Sequence, residues 1–416
     1  MNTNGTSWLK SLISTNKRFA TSEKGNYDTQ LYKEIQPSGL MYGHPIIPAE
    51  YKNSEFQEMD LSKKLKTVLL DGFIKTAFLP TGNDFPNNPD LFIKELSVSL
   101  TNYYSDLLKT KKVNTQTFWG RKKLPEEIIE ELVNDRLSIS NISSTNFWDS
   151  FFNNSLLFLD VFFYGEWLTH KSQEKGIDNI RQKRDEMHFT LLQVIAAAAY
   201  ADNTLDDEEK ALFNHFLKSA NLPSNKKEKA INLIDNGISI DQIDLRNINS
   251  WILKKYLLEL AILTLWADRV VTDAEKVFLN KLARIMSFSD EEVESSMAAI
   301  ESFIIANWRE VPFLQSKHNF SLISDQFVDR LSKVATKNKT RISQEIQESK
   351  ELMALLTKSQ KENLTKEEQI KVRKQLIDIL KILPAFVIIA LPGTFLTLPL
   401  LLKILPKNVF PSSFQE

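Results

Sequence analysis

The chain is expected to be all-α, on three observations. From residue 61 onward apolar residues recur three or four apart, no stretch alternates apolar and polar as a half-buried strand would, and the clearest internal repeat reads as helix, short turn, helix. The predicted architecture is a multi-helical N-terminal region, a helical repeat domain, and a C-terminal transmembrane helix or helical hairpin. With 416 residues, 42% apolar and 25% charged, the chain is long enough for two or three cores.

Residues 1–60 are rich in Asn, Ser, Thr, Gly and Pro, including "QPSGLMYGHPIIPAEY", and are expected to form an irregular lead segment. An N-terminal helical domain over 61–180 begins with "LSKKLKTVLLDGFIKTAFL" and continues through "NPDLFIKELSVSLTNYYSDLL" and "LPEEIIEELVNDRL". In "NFWDSFFNNSLLFLDVFFYGEWL" (146–168), Trp148, Phe152, Leu156, Leu159, Phe163 and Trp167 share one helical face. That face suits the buried central helix of the domain, or else a membrane or partner surface. Asp149, Asp160 and Glu166 on the remaining surface favour the first.

The repeat lies within 186–305, where "AAYADNTLDDEEKALFNHFL" (198–217) recurs as "TLWADRVVTDAEKVFLNKLA" (264–283) at an offset of 66 residues. In this register Asp202 matches Asp268, Asp207 matches Asp273, Glu209 matches Glu275, Lys210 matches Lys276 and Asn214 matches Asn280. Asp206 and Thr272 occupy N-cap positions, with Glu209 and Glu275 three residues later completing capping boxes. Asp202 and Asp268 instead end the preceding helices, where the helix dipole disfavours a negative charge. Asp202, Glu209, Asp268 and Glu275 could therefore give oxygen ligands to a divalent cation such as calcium, if the two turns meet; otherwise they are caps and solvated charges. Asp202 and Glu209 are seven positions apart, whereas an EF-hand loop needs roughly eleven between its first and last ligands and a central Gly.

These turns resemble the tellurite-resistance TerB family, whose helical domains carry a repeated Ala-Asp-Gly-x-apolar-x-x-x-Glu turn. "ADNTLDDEE" and "ADRVVTDAE" keep the Ala-Asp, the apolar fifth position and the Glu, with Asn203 and Arg269 in place of Gly. The resemblance implies an all-helical domain tied to membrane-linked stress and ion sensing, and metal binding through the acids.

Residues 320–375 form a charged helical connector, with a further capping box at Thr365 and Glu368. The last segment, 376–416, carries 21 uncharged residues between Lys381 and Lys403, against the ~20 helical residues needed to cross a bilayer. Pro384, Pro392 and Pro399 interrupt it, which a kinked membrane helix tolerates better than an isolated soluble one. A buried hairpin turning at Pro392-Gly393 is the alternative. Lys366, Lys371, Arg373, Lys374 and Lys381 outnumber Lys403 and Lys407, which places the upstream side in the cytoplasm.

The run "KILPAFVIIALPGTFLTLPLLLKILPKNVFPSSF" resembles the membrane segment of the leucine-zipper/EF-hand-containing transmembrane (Letm) family. Pro392 and Pro399 keep that family's spacing of seven, Lys403, Pro406 and Asn408 follow, and Pro411, Ser412, Ser413 and Phe414 close the pattern. Family members that exchange cations for protons place a Glu where this chain has Phe395, which argues against copying the exchanger mechanism. With the helical repeat, the chain is similar to bacterial Letm-related biofilm-associated proteins. The resemblance implies location at the bacterial inner membrane with the bulk of the chain cytoplasmic, membrane lipid as partner, self-association or protein partners through the tail, ribosome binding, and a part in ion or stress homeostasis. Cation or proton transport is the alternative function. The chain ends at Glu416, before the soluble domain to which ribosome binding belongs in the family.

Composition narrows the rest. A formal net charge of -1 gives no broad basic field for DNA or RNA. The absence of Cys excludes disulfides, thiolate metal sites and Cys nucleophiles. The N-terminus has no apolar stretch of signal-peptide type. No phosphate-binding Gly loop, nucleophile elbow or His pair at metal spacing occurs, and His44, His170, His188, His215 and His318 are isolated. A non-enzymatic protein is expected.

Overall fold

In a computed structural model, the structure describes residues 7–16, 26–47, 59–78, 88–108, 116, 120–139, 154–170, 174–201, 207–220, 222–245, 248–266, 273–306, 308, 320–359, 362–380, 397–407 and 410. Helices dominate these residues, no strand occurs among them, and one isolated antiparallel bridge pairs Gln116 with Lys122. The chain divides into two compact units, 1–257 and 258–416.

In the first unit, α1 (Ser7–Asn16) and α2 (Tyr27–Ile35) precede two 3-10 turns, Gln36–Ser38 and Leu40–Tyr42. The expected irregular lead segment is thus corrected. Trp8, Leu9, Leu12 and Ile13 form a short apolar stripe, as do Leu31, Tyr32 and Ile35, and all are buried. Each stripe covers too few turns to stand out against the polar composition around it. Asn26 caps α2 by accepting from the amide of Asp28 at 3.0 Å.

Next come α3 (Leu61–Phe78), α4 (Pro89–Leu108), α5 (Pro125–Ile139), α6 (Leu157–His170) and α7 (Glu174–Ala199). Helix α6 packs on α3 and α7, while α4 pairs with α5. Residues 157–165 of α6 are buried on every side, as a helix apolar all round must be, so its aromatic stretch is core. Tyr164 sits edge-on to Phe73 at 5.2 Å and to Tyr103 at 5.3 Å, linking α6 to α3 and α4.

The first copy of the repeat follows as α8 (Asp207–Ser219) and α9 (Ser224–Asn236), both packed on α7. Gly237, at φ +75°, ends α9 in a conformation that L side chains rarely adopt. Helix α10 (Trp251–Trp266) crosses the division between the units.

The second unit continues with α11 (Asp273–Ile285), α12 (Asp290–Ala306), α13 (Phe320–Lys337), α14 (Lys339–Glu348), α15 (Lys350–Ser359), α16 (Lys366–Leu380) and α17 (Leu398–Ile404). Helix α13 lies along α12, α14 and α15 pack on α16, and α17 packs on both α13 and α16. The capping box at Thr365 and Glu368 forms, with the Thr365 amide donating to Glu368 at 2.9 Å and the Glu368 amide to the Thr365 hydroxyl at 3.2 Å.

Candidate functional site

Helices α8 and α11 start at Asp207 and Asp273, directly after the predicted N-caps Asp206 and Thr272, and each runs for 13 residues. The caps themselves lie outside the described residues, as do Asp202 and Asp268. Glu209 falls in the first turn of α8, its side chain beyond what is described, and Glu275 is buried in the first turn of α11. Of the four predicted ligands only the Glu275 side chain lies among the described residues, where no group of three or more acidic or His side chains could hold a metal ion.

The repeat is larger than its motif. Adding 66 to the start of α9 at Ser224 gives Asp290, the start of α12, so each copy contains a third helix in the same register. The sequence hid this because 224–236 and 290–302 share only Glu228/Glu294 and Ile234/Ile300 as identities. The copies diverge at their ends through one residue: Gly237 stops α9, whereas its counterpart Phe303 lets α12 continue to Ala306. They diverge in cover as well. On α12, Arg330 from α13 holds Glu301 with contacts of 3.0 Å from Nε and 3.1 Å from Nη2, and its Nη1 also meets Glu294. Burial raises the Glu301 carboxyl above the usual carboxylate value, against the pull of Arg330.

The first unit holds a second group of buried charges, centred on Asp160. Asp160, expected on the surface of the aromatic helix, is 1% exposed and is corrected to a core position. It accepts a hydrogen bond from Nε of Arg136 on α5 and lies 3.7 Å from Nη2 of Arg184 on α7. Two guanidinium groups meet the cost of burying one carboxylate, which is the condition for a charge to sit in a core. The Tyr103 hydroxyl donates to the Asp160 carbonyl at 2.6 Å. One turn beyond Arg184, His188 is fully buried, and burial, with Arg184 beside it, holds its imidazole well below the usual value. The neutral ring therefore donates from Nδ1 to the Ala220 carbonyl at 2.8 Å, tying α7 to the end of α8. The cluster joins four helices and is closed to solvent, which suits a structural tie rather than a reaction site.

Of the predicted membrane residues, Pro384, Pro392, Pro411 and Phe414 lie outside the described residues. Pro399 occupies the first turn of α17, where its missing N–H costs no intrahelical bond, Lys403 is exposed in the last turn, and Pro406 is half-buried just beyond. Leu401 and Ile404 are fully buried, and Leu405 and Phe410 nearly so. Among the described residues no helix is long and apolar enough to cross a membrane.

Fold and charge arrangement define an all-helical protein with a duplicated three-helix module. No family model matches the chain, and no curated protein or solved structure is significantly similar to it.

Proposed function

We propose that the chain is a non-enzymatic, membrane-associated helical protein, in which two helical units serve as binding body and residues 381–403 as the membrane-seeking element. The observation that carries this reading is the 21-residue uncharged run between Lys381 and Lys403, attached to helices as charged as α14–α16. Such a run is far more apolar than its surroundings and is flanked upstream by Lys and Arg, which favour an anionic leaflet. The uncharged residues before α17, 382–397, number sixteen, and sixteen residues would measure about 24 Å if helical, against a bilayer core of ~30 Å. The Letm-like pattern of the tail and the TerB-like turns support a setting in membrane-linked ion or stress homeostasis at the bacterial inner membrane.

Flotation of the full-length chain with vesicles of anionic and zwitterionic lipid tests the reading. Binding that is lost on Ile388→Asp with Ile389→Asp, in a protein whose helix content is unchanged, is the expected result. A wild-type chain that stays with the soluble fraction on both lipids overturns it.

A further inference from the structure

The two repeat copies carry the same pair of acids on their third helix, and only one pair is covered. Glu294 and Glu301 on α12 correspond, 66 residues earlier, to Glu228 and Asp235 on α9. Both pairs are seven residues apart, two turns along one helix face. On α12 that face is filled by α13, whose Arg330 bridges both carboxylates, and Glu301 is buried. On α9 the face is open: Glu228, Asn232 and Asp235 are exposed, and Ile231, between the two acids, is 40% exposed. Only Ala230 and Ile234 of α9 are buried, on the side that packs against α7 and α8, whereas α12 is buried almost throughout from Val293 to Ile305.

We infer that the Glu228–Ile231–Asp235 face of α9 is a docking surface for an amphipathic helix of a partner protein that presents an arginine beside an apolar strip, seated as α13 is seated on α12. Charge complementarity and the precedent within the same chain select this occupant: an acid pair at this spacing on this helix demonstrably takes one guanidinium. The α9 face is also more polar than its counterpart, with Lys227 for Val293 and Asn232 for Ala298. That composition suits a partner that comes and goes, whereas the α12 face suits a permanent cover. The inference is independent of membrane association.

The probe is a fluorescent peptide of residues 318–338, titrated into the full-length chain and followed by anisotropy. Saturable binding is expected, weakened about tenfold or more by Glu228→Gln with Asp235→Asn in the protein, or by Arg330→Gln in the peptide, since each removes charge-assisted hydrogen bonds. No saturable binding, or binding indifferent to both changes, overturns the proposal. A photo-crosslinker at peptide position 327 gives a second readout that needs no variant: marking of 224–236 supports the surface, and marking confined to other helices overturns it. Sedimentation of the chain alone separates the remaining occupant, because a dimer that the peptide dissolves would assign the face to a second copy and overturn the choice of a partner protein.

Discussion

Asp160 on α6 is held by Arg136 on α5, Nε to carboxylate, with Arg184 on α7 at 3.7 Å from its other oxygen. Removing the carboxylate leaves two buried guanidinium groups facing each other. Asp160→Asn is expected to destabilise the first unit by about 3 kcal/mol or more, because a broken buried pair costs far more than the intact pair contributes. Urea unfolding followed by near-UV circular dichroism measures this. Restoring part of the loss by adding Arg136→Met to that variant would confirm that the residual charge, not the lost contact, is responsible.

Gly165 sets how closely α2, α3 and α6 approach. A Cβ at this position would lie 2.5 Å from the Tyr27 hydroxyl and 3.0 Å from Cγ2 of Thr76. Gly165→Ala is expected to cost about 1–3 kcal/mol through overpacking, outweighing the ~1 kcal/mol that alanine gains in helix propensity. Thermal melts of Gly165→Ala alone and combined with Tyr27→Phe separate the two, since deleting the hydroxyl should recover most of the loss.

His188 gives the first unit an acid sensitivity. Its imidazole is depressed in the folded state by burial and by Arg184, so it stays neutral on folding while the unfolded chain takes up a proton near pH 6.5. The sign follows from linkage: its contribution is complete above that pH and is lost as pH falls toward the native value, at no more than about 1.4 kcal/mol per pH unit. Urea midpoints between pH 7.5 and 5.0 should fall less steeply for His188→Gln than for the wild type. Equal slopes would show that the ring is protonated in place.

Leu401 and Ile404 are the anchoring points of α17. Leu401→Ala with Ile404→Ala removes buried side chains typically worth about 2–5 kcal/mol each, more than a seven-residue helix can hold by itself. Amide exchange at Leu401–Leu405 should become fast while α13 keeps its protection. If the amides of α17 exchange as slowly as before, these contacts do not seat the helix.

How far the sequence disclosed this arrangement depends on the range of the interactions. Local patterns were sufficient for the helix starts at Asp207, Asp273 and Lys366, each preceded in the sequence by a capping residue type with an acid three residues on. Spacing likewise identified the described part of the aromatic stretch as core, since Leu156 through Gly165 are buried, while Trp148, Asp149 and Phe152 lie outside the described residues. Nothing local marked Asp160 as internal, because the arginines that make its burial tolerable lie 24 residues away in each direction. Helices α1 and α2 were hidden for a different reason, their apolar stripes being short and set among turn-forming residues. The third helix of the repeat was invisible because packing preserved its position while replacing most of its residues, and α13 covers only one of the two copies.

That preserved register also makes the two modules interchangeable parts. From the start of α8 to the start of α9 is the same 17-residue stride as from α11 to α12, so residues 290–302 could be grafted in place of 224–236 without altering a loop length. Such a chimera would carry Ala298 and Val293 into the exposed position, turning a water-tolerant face into an adhesive one. The polar residues of α9 are then what lets one chain keep two versions of the same module, one under a permanent cover and one that holds a helix only in passing.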